Sequence, residues 1–442
     1  MAGRDPRTVI RTEDMTAFQI VVVSICVLIV ALDGFDVLVV AFTAPAIAKD
    51  WGLKPTDLGL LFGTGLAGMG AGSLFVAPLG DRFGRRPTVL LCLTILCLGM
   101  CASAYAADLA ELAALRAFTG IGIGAALTSV NVLVAEYASD RRRDLSISVM
   151  AVGYPVGATL GGLVAVYLIG AFGWRSVYLF GGLVAALLIP AALAWLPESL
   201  DYLVVRRPRG VLERVNRLLG RMGRDPLDSL PEPARDGESA DTGLLQLLRP
   251  PLLGRTVASC VAYLSVMSTC YFLLSWTPKL LTELGLTITG GISVSLLMNM
   301  AGAAGCLAFG VYATMAGARR LATAFMLGLF AACAAFGVVP ASTTALMAAV
   351  SAVGFCLFAS INALYAVVPT LFPPAVRSTG TGLAMTVGRV GAVAGPYLAG
   401  VLIAEGWPRP VYCTVLALPM LVAAASLAQG RKTAAAAAVP AA

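Results

Sequence analysis

The sequence predicts an all-α membrane protein, with twelve transmembrane helices in two six-helix bundles. Three observations predict it. Of 442 residues, 59% are hydrophobic and only 12% are charged, against about 45–50% apolar and about 25% charged in a soluble domain. Apolar runs follow one another with short breaks, six before a long polar stretch and six after it. Each is long enough to cross a bilayer, which takes about 20 residues at 1.5 Å rise. Arginines cluster in alternate breaks, as they do in segments kept on the cytoplasmic side.

In chain order the apolar runs lie at roughly 18–41, 57–79, 88–107, 109–135, 146–170 and 175–196, then 255–277, 289–313, 320–339, 344–368, 378–403 and 408–428. The first is too long for the apolar core of a secretory signal and no small-residue cleavage site follows it, so it is expected to stay as helix 1. One side of the membrane receives Arg4, Arg7 and Arg11, then Arg82, Arg85 and Arg86, then Arg141 to Arg143, the arginine-rich middle, Arg319 and Arg320, Arg377, and Arg431 with Lys432. The other side has Lys49, Lys54, Arg175, Lys279 and Arg409. This asymmetry predicts a cytoplasmic N-terminus over 1–17, a cytoplasmic linker over 197–254 and a cytoplasmic, disordered tail over 429–442, with bundles at 18–196 and 255–428. Within the linker, Gly210 to Gly220 reads as a basic amphipathic helix lying along the interface with its arginines toward the headgroups. Pro231 and Pro233 break the chain after it.

Composition also excludes function classes. The formal net charge of +7 sits mostly on loop arginines without interleaved aromatics, which speaks for orientation in a lipid bilayer and against nucleic acid. The cysteines, among them Cys26, Cys92, Cys97, Cys101, Cys306 and Cys356, lie in apolar runs without metal-ligand spacing. Histidine is absent, so proton chemistry has to fall to carboxylates. No metal, no cofactor and no enzymatic activity is expected, since a membrane enzyme would need a metal site or an activated nucleophile.

Leu32-Asp33-Gly34-Phe35-Asp36 interrupts helix 1 with two acids, each costing about 2.5–3.5 kcal/mol at bilayer depth. At i and i+3 they share a helix face. Placed about five to eight residues from the outer end of helix 1, they match the depth of Arg116, about seven residues into helix 4. Together these three are the candidate proton-coupling group. A purely structural Asp36–Arg116 pair, or an Asp33 facing a watery vestibule, is the alternative. Arg389, near the middle of helix 11, is the candidate carboxylate clamp, because a guanidinium fork fits a carboxylate bidentately. Phe35, Tyr263, Tyr271, Trp276, Asn299, Phe358, Asn362 and Tyr365 are candidate walls and polar contacts for an aromatic ligand, with ordinary packing or an interfacial belt, Trp276 above all, as the alternative. Glu136, beside Arg141 to Arg143, reads as part of a cytoplasmic ion-pair gate with Asp81, Arg82, Arg85 and Arg142. The Gly-x-Gly spacings of helices 2 and 4 follow no strand and so favour close helix packing over a nucleotide loop.

Pro78-Leu-Gly-Asp-Arg-Phe-Gly-Arg-Arg86 resembles the loop 2–3 signature of the major facilitator superfamily, and Arg116-Ala-Phe-Thr-Gly-Ile-Gly-Ile-Gly124 resembles its fourth-helix motif. Asp33-Gly-Phe-Asp36, Ser275-Trp-Thr-Pro278, Ala363-Leu-Tyr-Ala366, Arg377-Ser-Thr-Gly380 and Gly388-Arg-Val-Gly391 look like the aromatic acid:proton symporter family within it. The loop 8–9 copy departs from the pattern at Thr314 and Met315, and helix 10 has Val368 where relatives often carry an acid. The resemblance implies import of small aromatic carboxylates, benzoate-like or hydroxybenzoate-like, with protons across a bacterial inner membrane by a monomer. It also implies essential roles for the helix 1 acids and for Arg116 and Arg389. The alternatives are a proton symporter for a non-aromatic organic acid or a sugar, and a membrane sensor that binds without transporting.

Overall fold

A computed structural model describes residues 5–230, 246–250, 252–373 and 376–436. The described residues hold twelve helices long and apolar enough to cross a membrane. Helices 1 to 6 are Ala17–Trp51, Pro55–Phe83, Arg85–Ser103, Leu109–Tyr137, Arg143–Phe172 and Arg175–Trp195. Helices 7 to 12 are Leu253–Glu283, Ile288–Ala316, Ala318–Val338, Thr343–Val367, Arg377–Ala404 and Arg409–Ala436. Helix 2 is broken near its end by a π-helical turn, Gly72–Val76.

Helix 1 differs from expectation. It runs to Trp51, through Pro45, instead of ending near 41. The extension persists because it has something to bury: Phe42 and Ile47 are almost wholly covered. It stops where Gly52 takes a left-handed φ of +64°, a conformation glycine reaches without a Cβ penalty. Asp33 and Asp36 therefore sit in the middle of a 35-residue helix and not close to its end. Helix 12 likewise continues to Ala436, into the stretch expected to be disordered, while 437–442 lie outside the described residues.

The internal repeat, faint in sequence, is clear in the backbone. Left-handed glycines recur at matching junctions: Gly52 and Gly285 after helices 1 and 7, Gly84 and Gly317 before helices 3 and 9, Gly173 and Gly406 after helices 5 and 11. The helix pairings repeat too. A Cβ on Gly34 or Gly157 would run into the carbonyl of Tyr154 or Ala31, so helix 1 lies at backbone contact on helix 5. Gly391 and Gly395 meet Leu264 and Ser268 in the same way, joining helix 11 to helix 7. Gly68 and Gly124 close helices 2 and 4, and Gly305 and Gly354 close helices 8 and 10. Small residues let backbones approach and gain dispersion contacts that lipid cannot supply.

By compactness the chain forms two units that cut across the order of helices. One comprises Met1–Val39, Gly68–Gly161 and Arg175–Asp236; the other comprises Val40–Ala67, Gly162–Trp174 and Gly237–Ala442. The second unit therefore includes the adjoining ends of helices 1, 2 and 5. Gly59 lies against the Pro396 carbonyl and Gly400, and Phe62 packs edge-on to Trp276 at 5.5 Å.

The linker forms two short helices, Leu200–Arg206 and Val211–Arg221. The second matches the expected amphipathic piece, but its apolar residues Val215 and Leu219 are buried against protein. Pro231 and Pro233 lie outside the described residues.

Candidate functional site

In the first unit the helix 1 acids face inward. Helix 1 is pressed onto helix 5 through Gly34 and Gly157, which fixes its rotation, and Asp33 and Asp36 are 5% and 0% exposed. Arg116 of helix 4 reaches Asp36 in a bidentate pair: Nη1 donates to Oδ1 at 2.7 Å and Nη2 to Oδ2 at 2.6 Å. The same Nη2 donates to the Asp36 carbonyl at 3.0 Å. Both side chains are out of solvent, so each charge relies on the other, and removing one partner of such a pair typically costs about 3–5 kcal/mol. Phe35, between the two acids, packs edge-on to Phe180 at 5.9 Å and fills the space left by Gly161 and Gly181. It is a buried wall residue, 4% exposed.

In the second unit three candidates come together. Gly388 packs on Tyr263, which sets the register of Arg389, the next residue. The Tyr263 and Tyr365 rings stand 6.3 Å apart at 67°. Tyr365 is 51% exposed although it lies well inside helix 10, and the Tyr263 hydroxyl is buried with no hydrogen-bond partner among the described residues. No acid pairs with Arg389 among the described residues. A cation with two phenols and no counter-charge can take up a carboxylate.

The other candidates lie elsewhere. Trp276 is fully buried, and its Nε1 donates to the Pro396 carbonyl at 3.0 Å. It is an anchor of the Phe62 contact instead of an interfacial belt residue, about 20 Å along helix 7 from Tyr263. Asn299 is buried with Oδ1 unpartnered among the described residues, and Asn362 donates from Nδ2 to the Cys306 carbonyl at 3.2 Å. Asn362 thereby bridges helices 10 and 8.

Of the gate residues, Asp81 and Arg85 form an ion pair, whereas Arg82 and Arg142 are exposed. Glu136 turns to the linker: its Oε1 accepts from Ser199 Oγ at 2.8 Å and its Oε2 from Leu200 N at 2.9 Å. It thereby caps the first linker helix, and no arginine pairs with it among the described residues. Sequence reasoning missed its neighbour Glu198, whose Oε1 accepts from the backbone N–H groups of Arg85, Arg86 and Ser199 at 2.7, 3.2 and 2.9 Å. The signal available was Pro197-Glu198-Ser199 at the mouth of the linker, a helix N-cap sequence.

Burial, despite those three bonds, holds the Glu198 carboxyl above its ordinary value of 4.5. An acid whose folded-state pKa is raised binds its proton more tightly when folded. Stability is then fullest below 4.5 and declines as pH rises from there through the folded-state value. Melting temperature against pH should accordingly be flatter for Glu198→Gln than for the natural protein across that window. An unchanged slope would clear Glu198 of the effect.

A family model described as Major Facilitator Superfamily matches residues 26–396. The chain belongs to the major facilitator superfamily. Among curated proteins it is similar to the gallate transporter of Pseudomonas putida, 33% identical over 430 residues, covering 96% of this chain and 95% of that one. It is 31% identical over 428 residues to the 4-hydroxybenzoate transporter PcaK of Pseudomonas aeruginosa, with the same coverage of 96% and 95%. Among solved structures, the inward open conformation of the xylose transporter XylE from E. coli shares the major facilitator fold, with a TM-score of 0.71 at 16% identity over 93% of this chain and 96% of that one.

Proposed function

We propose that this protein is a proton-coupled symporter that imports small aromatic carboxylates across a bacterial inner membrane by alternating access, with both termini in the cytoplasm. The observation that carries the reading is the buried Asp36–Arg116 pair in one unit together with a cation, Arg389, that has no acid partner among the described residues in the other. The substrate class rests on relatives whose names state gallate, 4-hydroxybenzoate and 3-(3-hydroxy-phenyl)propionate transport.

Arg389 takes the substrate carboxylate through its guanidinium fork, with the Tyr263 and Tyr365 rings as flat walls. A proton arriving at the helix 1 acids neutralises the partner of Arg116 and weakens the pair, so protonation and conformation become linked. Asp33, one turn from Asp36, is the second proton acceptor. On the cytoplasmic side the Asp81–Arg85 pair, with Arg82 and Arg142, gates release. The chain works as a monomer in the lipid bilayer and needs no cofactor.

The experiment is proton uptake by proteoliposomes on addition of each of benzoate, hydroxylated benzoates, an aliphatic organic acid and a sugar. Aromatic acids alone should alkalinise the medium. Uptake evoked only by the aliphatic acid or the sugar would move the protein to another substrate class, and binding without counterflow would make it a sensor.

A further inference from the structure

The chain after helix 6 carries charge that the transport reading does not use. From Asp201 to Arg224 there are seven arginines and two acids, Asp201 and Glu213. The helix Val211–Arg221 within it is firmly seated. Val215 and Leu219 are fully buried, and Asn216 exchanges two hydrogen bonds with the Leu227 backbone, at 2.9 and 2.8 Å. Val215 and Leu219 are thus spent on protein and are not available to enter lipid.

Its height is fixed as well. The Arg221 guanidinium lies 4.4 Å over the Phe18 ring, and its Nη2 donates to the Ala194 carbonyl at 3.1 Å. Phe18 is in the first turn of helix 1 and Ala194 in the last turn of helix 6. Arg221 therefore stands where spanning helices leave the hydrocarbon. Next to these two anchor points in sequence, Trp195 and Ile20 are each 49% exposed, as residues that meet lipid are. Arg224 adds a second anchor, pairing with Glu13 and donating to the Asp14 carbonyl at 2.9 Å. Arg214 and Arg217 lie on the Arg221 side of the helix, at i−7 and i−4. Both are exposed, and among the described residues neither has a carboxylate partner.

We propose that Arg214, Arg217 and Arg221 form a headgroup site for anionic phospholipids, with guanidinium forks on the phosphodiester. Guanidinium suits phosphate bidentately and is weakly hydrated. The stripe begins at the hydrocarbon boundary between lipid-facing side chains, a position that a lipid phosphate occupies by default and a dissolved anion does not. Surface cations near a membrane each strengthen anionic-lipid binding by about fivefold.

The test is native mass spectrometry of the full-length protein in detergent, offered equal amounts of phosphatidylglycerol and phosphatidylcholine with the same acyl chains. The natural protein should retain phosphatidylglycerol in preference. R214Q/R217Q should lower that preference by about twenty-five-fold without lowering the melting temperature, R214K/R217K should fall between, and R320Q, an exposed arginine in the first turn of helix 9, should leave it unchanged. Equal retention of both lipids by the natural protein, an undiminished preference in R214Q/R217Q, or an equal loss in R320Q would overturn the site. Displacement of phosphatidylglycerol by millimolar inorganic phosphate would overturn it in favour of a site for dissolved anions.

Discussion

Asp36→Asn is expected to abolish accumulation of substrate against a gradient when proteoliposomes are given an inward pH gradient. The carboxylate is completely buried, and both of its oxygens are engaged by Arg116. Asparagine keeps the shape and removes the one titratable function. It also strands the Arg116 guanidinium in a dry site, so a stability loss of about 3–5 kcal/mol is expected alongside. The two effects separate in the double variant Asp36→Asn with Arg116→Gln. Deleting both charges should recover most of the melting temperature, because no uncompensated ion remains, and should leave uphill uptake absent. Exchange of labelled for unlabelled substrate, which needs no proton gradient, should survive in the double variant. Uphill uptake at the natural level in Asp36→Asn would remove Asp36 from coupling.

Arg389→Gln should weaken binding of an aromatic carboxylate by about 30-fold or more, the range for truncating one partner of a desolvated charge pair. Gly388 holds the helix against Tyr263 on the preceding residue, so the backbone at 389 should stay in place and the loss should reflect the side chain alone. Arg389→Lys keeps the charge but not the fork and should recover only part of the affinity. Titration of the protein's tryptophan fluorescence with benzoate and with benzamide distinguishes a clamp from a packing residue. The clamp predicts that only the acid is penalised; equal penalties for both would indicate a collapsed pocket.

Much of this architecture was legible in the chain. Twelve apolar runs became twelve helices because a lipid-facing backbone has to satisfy its hydrogen bonds internally. The Asp36–Arg116 pair was legible for the same reason that it is costly, since unlike charges at matching depth have few other places to go. What failed were readings that depend on the partner helix. The apolar run of helix 1 gives out near residue 41, yet packing of Phe42 and Ile47 carries the helix on to Trp51. Trp276 near a helix end suggests a belt, yet its indole N–H is taken by a carbonyl of helix 11. Glu136 beside three arginines suggests an ion pair, yet Ser199 and Leu200 offer it unsatisfied donors at a helix start. Glu198 carries no marker of depth, and only the folded chain brings it to the start of helix 3.

The glycine seams have a mechanical consequence. Two rods welded along their length resist bending far more than either alone, so helices 1 with 5, 2 with 4, 7 with 11 and 8 with 10 behave as four stiff beams. Deformation then concentrates where the weld stops: the proline-bearing stretch of helix 1 beyond Val40, and the end of helix 2 at Pro78, past the π turn whose Gly72 still touches helix 4. Flexibility in this molecule is thus a property of a few short joints, and the charged residues in mid-helix ride on parts that hardly deform.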